Sequence, residues 1–567
     1  MNCPVEFEDQ VDLQYAGVLV TLPALLACGI LKGIKRFELS KVYYSTTQVF
    51  LSLAFMVMLR VKQVEQSRLL SCGELGRCLG MDRTPCAQTI RNRLGGFSSM
   101  SNVGTWSLEM SRYWMRQDED ADEDRNKVDG TLFIDGHVNI CYTKSIELPK
   151  RYVSRMRLCM SGSTDYWVNG AIGQPYFVVH KIVNEGMIKT ILDDIIPELD
   201  KSVPNQPDEA ALGKTPLLHR YMIVFDRECY SVPFFIELKK QRIAFCTYRK
   251  NVKDKWDERE FTEYETADKS GEKVRMKLAE RTIVLAAKEE KDKPKESIEV
   301  REVRKLCESG HQTAIITSNY ALSITDVGLN MFARWNQEIY FKYATESFGI
   351  DCLISNTKNS IPDTYIIPNP VYISLYKQHK SLAAKLSKLK QKLADKTMES
   401  DLSDEKKMKK FIRQKAEILL DMEAYQIELE KIKLKKKNTD KRVDIKDVEP
   451  EKEVFTVITD QKQLMDTIKM IGYRAETALV GQIKEMMSCP EQARSLIRSI
   501  YQSNADLKVD KQNKILYVLL HHSNFASNDI IISKLFKILN ESQTIFPGSD
   551  LTLYYRLVSD KSSSENT

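Results

Sequence analysis

The sequence predicts a multidomain α/β protein, and three observations predict it. Two short β-rich runs, Thr131-Leu132-Phe133-Ile134-Asp135 and Tyr221-Met222-Ile223-Val224-Phe225-Asp226, each end in an aspartate. A stretch free of Gly and Pro runs from Asn330 to Phe348 and stops at Gly349, the mark of a helix and its terminator. Further on, Leu375, Leu382, Leu386, Leu389 and Leu393 recur at heptad-like spacing. With 567 residues the chain has ample core for several domains.

Taken in order, residues 1–125 read as a helical region. Ala16 to Leu31 is broken by Pro23 and Gly29, and Gln48 to Leu59 is short. Both fall below the roughly 20 apolar residues that span a bilayer, so they predict buried helices and a soluble chain with no membrane partner. The N-terminus opens on Glu6, Glu8 and Asp9, which is unlike a secretory leader. Residues 69–95 have the pattern of a helix-turn-helix: Glu74 to Leu79, a turn at Gly80 to Pro85, then Cys86 to Leu94 bearing Gln88, Thr89, Arg91, Asn92 and Arg93. Arg91 and Arg93 are the candidate DNA contacts; an ordinary helical hairpin is the alternative. The 12 cysteines are scattered without a CxxC pair, and the loose group Cys72, Cys78 and Cys86 lacks zinc spacing. They read as small buried apolar residues of a reducing cytoplasm. A net charge of +6 permits DNA binding through local patches without requiring it.

After an acidic linker at 115–129, residues 126–353 predict the order strand 131–135, strand 137–142, strand 175–182, helix 185–198, strand 221–226, helix 231–240 and strand 242–249. The helix around Glu338 closes it. On that helix Phe332, Trp335, Ile339 and Tyr343 form the stripe expected to face inward. Arg334, Glu338 and Lys342 recur every fourth residue on a neighbouring face, either as a solvated salt-bridge row or as part of a site. A carboxylate at the end of a buried strand is costly unless paired or bound to a metal. Two such aspartates followed by a helical glutamate match what a two-metal phosphoryl-transfer site needs, since Mg²⁺ prefers carboxylate oxygens. Glu346, eight residues beyond Glu338, is about 12 Å away along the helix and cannot share one metal pair with it.

Two insertions interrupt this order. Residues 144–170 interleave Lys150, Arg151, Arg155 and Arg157 with Tyr152, Tyr166 and Trp167, a mixture suited to phosphates and unstacked bases, or else a solvated basic loop. Residues 250–316 are polar and β-patterned, with Trp256 their only tryptophan. Residues 354–371 read as a Pro-containing linker, and 372–440 as a coiled-coil helical hairpin whose second stripe is Phe411, Ile418, Met422, Tyr425, Leu429 and Ile432. Residues 441–567 predict helices at 461–488 and 490–503 and a strand–helix–strand unit at 514–557. The pair His521-His522 is assigned no chemistry, and the Ser-rich end from 559 reads as disordered.

The stretches "LFIDGHV", "LPKRYVSRMRLCMSGSTDYWVNGAIGQP", "VFDRECYS", "MFARWNQEIYFKY" and "HHSNFASNDIIISKLFKILNESQTIFPGSDLTLYYRLV" resemble the DDE transposases of bacterial insertion sequences. The likeness is to the cut-and-paste group with a β-strand insertion and a Tyr-Arg-Glu-Lys signature, and it covers the chain from about residue 70 nearly to its end. The element order matches the ribonuclease H-like fold of that group. The resemblance implies Asp135, Asp226 and Glu338 as catalytic and metal-binding residues, holding two Mg²⁺ ions for which Mn²⁺ can substitute. It puts Arg334 at the signature Arg, with Met331 and Thr345 at the signature Tyr and Lys, and leaves Lys342 to supply the missing cation. It implies cleavage at terminal inverted repeats, a hairpin at the element end, strand transfer into target DNA, a homodimer in the paired-end complex, and a nucleoid-associated life in a bacterial cytoplasm. It also makes Trp256 the candidate to hold a flipped base, against the alternative that Trp256 packs the insertion's own core. A plain metal-dependent nuclease on the same fold, and a catalytically decayed DNA-binding protein, are the rival readings.

Overall fold

A computed structural model describes the chain apart from residues 1–2, 121–129, 143–147, 149, 154–155, 157, 183–185, 268–270, 272, 288–295, 353–357, 361–365, 399–404, 445–446, 448–454, 458 and 559–567. The architecture is mixed α/β, in two units: 1–357 with 457–567, and 358–456. The Ser-rich end and part of the acidic linker thus lie outside the described residues.

The strands, in chain order, are β1 (Gln10–Leu13), β2 (Thr131–Ile140), β3 (Lys150–Val153), β4 (Leu158–Asn169), β5 (Pro175–Lys181), β6 (Tyr221–Phe225), β7 (Ile243–Tyr248), β8 (Thr262–Ala267), β9 (Lys273–Ala286), β10 (Ser297–Leu306), β11 (Gln312–Thr317), β12 (Lys358–Ser360), β13 (Ile366–Pro368), β14 (Arg442–Asp444), β15 (Phe455–Val457), β16 (Ala505–Asp510), β17 (Ile515–Leu520) and β18 (Thr552–Leu557). The large sheet of the first unit has the order β3-β4-β2-β6-β7-β11-β10-β9-β8, with β5 also pairing β4. Its centre is parallel, β2 with β6 and β6 with β7, and β6 is buried along its whole length. An uninterrupted apolar run such as Tyr221–Phe225 suits a strand covered on both faces.

Two expectations change here. The 144–170 insertion is largely strand: β3 and β4 pair antiparallel, and β4 pairs β2 from Phe133↔Asn169 to Ile140↔Gly162. The 250–316 insertion does form strands, and β11 pairs β7 while β10, β9 and β8 follow antiparallel, so it widens the same sheet. Edge pairing is the physical reason: β7 offers unpaired backbone groups on one side, and β11 satisfies them.

In the second unit the helices Pro370–Met398 and Glu405–Lys437 lie antiparallel. Lys436 stands over Tyr372 and Tyr376, Lys385 over Tyr425, and Lys396 donates to Gln414 Oε1 at 2.6 Å. Leu382, Ile418 and Ile432 are buried between them. Two short strand pairs, β12 with β15 and β13 with β14, accompany the helices.

The ends of the chain meet in the first unit. β1 pairs β16 in a sheet of order β1-β16-β17-β18, and the Ala526–Glu541 helix connects the parallel β17 and β18. One apolar core runs from Phe7 to Tyr555 and includes the Thr46–Met58 helix, which is buried almost throughout. Among the described residues no helix is long and apolar enough to cross a membrane. The Thr459–Lys484 helix passes through this core carrying buried Lys462, Asp466, Lys469, Arg474 and Glu476. Each has a partner. Arg474 is bidentate to Asp118 at 2.6 and 2.7 Å. Glu476 meets Arg60 at 2.5 Å and Arg494 at 2.7 Å. Lys462 lies 2.5 Å from Asp466 and 3.2 Å from Asp165. Removing one member of such a group strands a buried charge. Lys462→Met is therefore expected to lower unfolding stability by about 3–5 kcal/mol in a urea melt, a loss well beyond that of a methionine placed at an exposed lysine such as Lys511.

Candidate active site

β2 and β6 run parallel with Ile134 opposite Phe225. The next residue along each is Asp135 and Asp226, so the two carboxylates come level on strands about 4.8 Å apart. Alternation sets the face: Phe133, Met222 and Val224 join Val327 and Met331 in one apolar cluster, and Asp135 and Asp226 continue that side. Instead of the two strands expected at 131–135 and 137–142, β2 is one strand through Gly136, whose amide donates to Asp135 Oδ1 at 2.9 Å.

The covering helix is Ile324–Phe348, capped by Ser323 at its start and by Gly349 at φ 61° at its end. Its inward stripe differs from the expected one. Val327, Met331, Gln337, Tyr340, Phe341, Ala344 and Phe348 are buried, whereas Trp335 is 66% and Ile339 54% exposed. Polar anchoring sets this phase. Gln337 Nε2 donates to the carbonyls of Phe133 (3.3 Å) and Trp167 (3.2 Å) and to Asn169 Oδ1 (2.8 Å). Asn336 Nδ2 donates to Ala171 O at 3.0 Å. Gly173, at φ 88°, lets that backbone approach, since a Cβ there would lie 2.8 Å from Asn336 O.

With Gln337 seated, Arg334 and Glu338 reach over the strand ends. Arg334 Nη1 donates to Asp135 Oδ2 at 3.2 Å and Nη2 to Glu338 Oε1 at 2.9 Å, so one guanidinium braces the strand acid to the helix acid. Burial pushes the Asp135 carboxyl up to about 6; Arg334 opposes the shift, and the charges of Asp226 and Glu338 add to it. Glu228, two residues beyond Asp226, is likewise raised by burial and by Asp226. Burial is the larger cause of both shifts and the neighbouring acids add to it; carboxylate oxygens are the donors a hard divalent ion prefers. Asp135, Asp226 and Glu338 could turn oxygens to such an ion, but here they do not form a group of three with ligand atoms within 4.8 Å of one another, and the Arg334 guanidinium stands between Asp135 and Glu338. Lys342 and Glu346 are exposed on the same helix, and Met331 fills the apolar layer against the sheet.

The other predicted residues divide. Helices Cys72–Arg77 and Ala87–Ser99 flank the expected turn. On the second, Gln88, Arg91 and Asn92 are exposed, with Arg91 bonded to Glu65 at 2.6 Å and to Gln88 at 2.8 Å. Arg93 faces the other way: it is 5% exposed, stacks over Phe97 at 5.0 Å and approaches Thr46, so it is no surface contact. Trp256 is buried between Arg304 (4.2 Å) and Arg281 (4.6 Å), packing the insertion's core and not presented to a ligand. Lys150 and Arg151 lie on β3, and Arg155 falls outside the described residues. A separate group, Asp165, His180 and Asp466, brings potential ligand atoms within 4.8 Å of one another. Lys462 already occupies it as the counter-cation. Reading the sequence passed over Gln337 and Glu228; each lies within two residues of a predicted acid, and no periodicity distinguishes them.

A family model described as "Transposase protein" matches residues 2–559, nearly the whole chain. No curated protein matches it.

The Asp135 shift has a defined sign. A carboxyl whose folded pKa of about 6 exceeds the ordinary 3.8 stabilises the fold below about pH 4 and loses that contribution as pH rises through about 6. In EDTA, Asp135→Asn should therefore raise the melting temperature at pH 7.5, by an amount worth at most about 3 kcal/mol, and give no gain at pH 4. Thermal melts across pH 4–8 check this.

Proposed function

The chain belongs to this transposase family, and on that premise we propose that it is a DDE-type transposase acting on double-stranded DNA. Asp135, Asp226 and Glu338 would hold two Mg²⁺ ions. The observation that carries the reading is the brace of Arg334 between Asp135 and Glu338, with Asp226 level on the neighbouring strand. Bound there, the ions would activate a water or a 3′-OH and offset charge on the attacked phosphate.

The chain's own residues have separable tasks. Gln337 positions the helix, and Glu338 with it, over the strand ends. Arg334 keeps the carboxylates apart and paired, and presents a fixed cation where phosphate charge develops. Lys342, one turn beyond Glu338, adds positive charge for the DNA backbone. Gln88, Arg91 and Asn92 form an exposed polar row on the second helix of the helix-turn-helix, and they would read the terminal repeats in the major groove.

Two measurements test this. Asp226→Asn or Glu338→Gln should abolish Mg²⁺-dependent cleavage of a terminal-repeat duplex while a mobility shift persists, and Glu346→Gln should stay largely active. Cleavage by the Glu338 variant would sink the assignment. Arg91→Ala should weaken binding to the terminal repeat by about 1–3 kcal/mol relative to random duplex; unchanged discrimination would return that helix to a structural role.

A further inference from the structure

The Glu405–Lys437 helix has two apolar faces, and its neighbour covers only one. Ile418 and Ile432 are buried against the Pro370–Met398 helix, with Met422, Tyr425 and Leu429 half-buried beside them. Roughly 140° around the same helix, counted at 3.6 residues per turn, lies a second stripe: Ile412, Leu419, Leu420 and Ile427, exposed by 55, 45, 66 and 52%. Solvent-facing leucines and isoleucines aligned along several turns of one helix mark an interaction surface, not scattered surface apolarity.

The arrangement of this stripe identifies its occupant. Its central four residues are symmetric about the Leu419–Leu420 bond, with Ile412 seven residues before Leu419 and Ile427 seven after Leu420; Met408 and Leu434, exposed by 46 and 63%, extend the stripe at its two ends outside that symmetry. A second copy of the same helix laid antiparallel, Leu419 against Leu420, brings Ile412 opposite Ile427 twice over. Self-complementarity of this kind is what a two-fold interface requires, and a seven-residue repeat is what keeps such a seam in register.

Charge selects the same pairing. Residues 406–415 carry Lys406, Lys407, Lys409, Lys410, Arg413 and Lys415 and no acid; residues 417–430 carry Glu417, Asp421, Glu423, Glu428 and Glu430 and no cation. A parallel pair would set cations on cations. The antiparallel register puts Lys409 opposite Glu430, with Lys410 and Arg413 alongside the Glu428–Glu430 stretch, and leaves Lys406 facing Lys433 nearer the ends of the helices.

We infer that this stripe is a self-association surface, through which two copies of the chain join by antiparallel Glu405–Lys437 helices. The inference uses nothing of the catalytic reading, and its test contains no DNA, so the two stand or fall separately.

Sedimentation of the full-length chain at micromolar concentration should show a species of twice 65.3 kDa. Ile412→Asp with Ile427→Asp should weaken it at least tenfold without loss of helical circular dichroism, because both positions face solvent in the single chain. Glu430→Lys should weaken it, and adding Lys409→Glu to the same chain should restore it. A chain carrying Ile412→Cys and Ile427→Cys should cross-link between copies under mild oxidation. A wild-type chain that stays monomeric overturns the inference. So does a dimer indifferent to the aspartates, or a cysteine pair that cross-links only within one chain.

Discussion

The carboxamide of Gln337 is the contact on which the candidate site depends. Its donations to the Phe133 and Trp167 carbonyls and to Asn169 Oδ1 bind the helix to two backbone oxygens and one side-chain oxygen of two adjacent strands, β2 and β4. A buried amide left without those partners would cost more than the bonds contribute when made, so the helix has one favourable rotation and one axial position. Glu338 and Arg334 inherit their placement from it. The far end of the helix is held in a related way. Lys469 Nζ donates to the Gly349 carbonyl and Lys462 Nζ to that of Ile350, each at 2.7 Å. Ammonium groups at a helix C-terminus satisfy its carbonyls and oppose its dipole. Both lysines sit in the apolar core beside Asp466, so the acid-bearing helix is tied to the central helix of the fold as firmly as to the sheet.

Charge is distributed unevenly between the two units. The helices Pro370–Met398 and Glu405–Lys437 hold eighteen lysines and arginines against seven acids, in a chain whose net charge is only +6. Everything outside these two helices is therefore net negative. A transposase must approach a polyanion, and a basic element gives that encounter its long-range attraction and its sensitivity to salt.

Much of the architecture could be read from residues alone because its signals are local. Tyr221–Phe225 is apolar without interruption and ends at Asp226; Gly349 closes the helix that bears Glu338; Gly80 to Pro85 separates two short helices. What escaped was set by partners far along the chain. The rotation of the Ile324–Phe348 helix follows from Gln337 bonding residues 168 to 204 positions earlier, so a stripe drawn from hydrophobicity placed Trp335 and Ile339 on the wrong side. Arg93 looked available because its type often is, yet it is covered by Thr46 and Phe97; for Trp256 only the resemblance suggested a ligand, and burial against Arg281 and Arg304 follows the usual habit of a tryptophan. The pairing of Gln10–Leu13 with Ala505–Asp510 joins opposite ends of the chain, and no spacing rule reaches that distance.

The outward position of Trp335 has an optical consequence. The chain has 5 tryptophans, and Trp106, Trp114, Trp167 and Trp256 are all buried. Trp335 is the exception, and it lies one residue from Arg334 and three from Glu338. Its indole emits from a polar, quencher-accessible setting while the other four emit from apolar ones. The red edge of the native emission spectrum thus belongs chiefly to a single ring beside the acids. Whatever settles over them, ion or nucleic acid, reports itself as a change in that component without any label being attached.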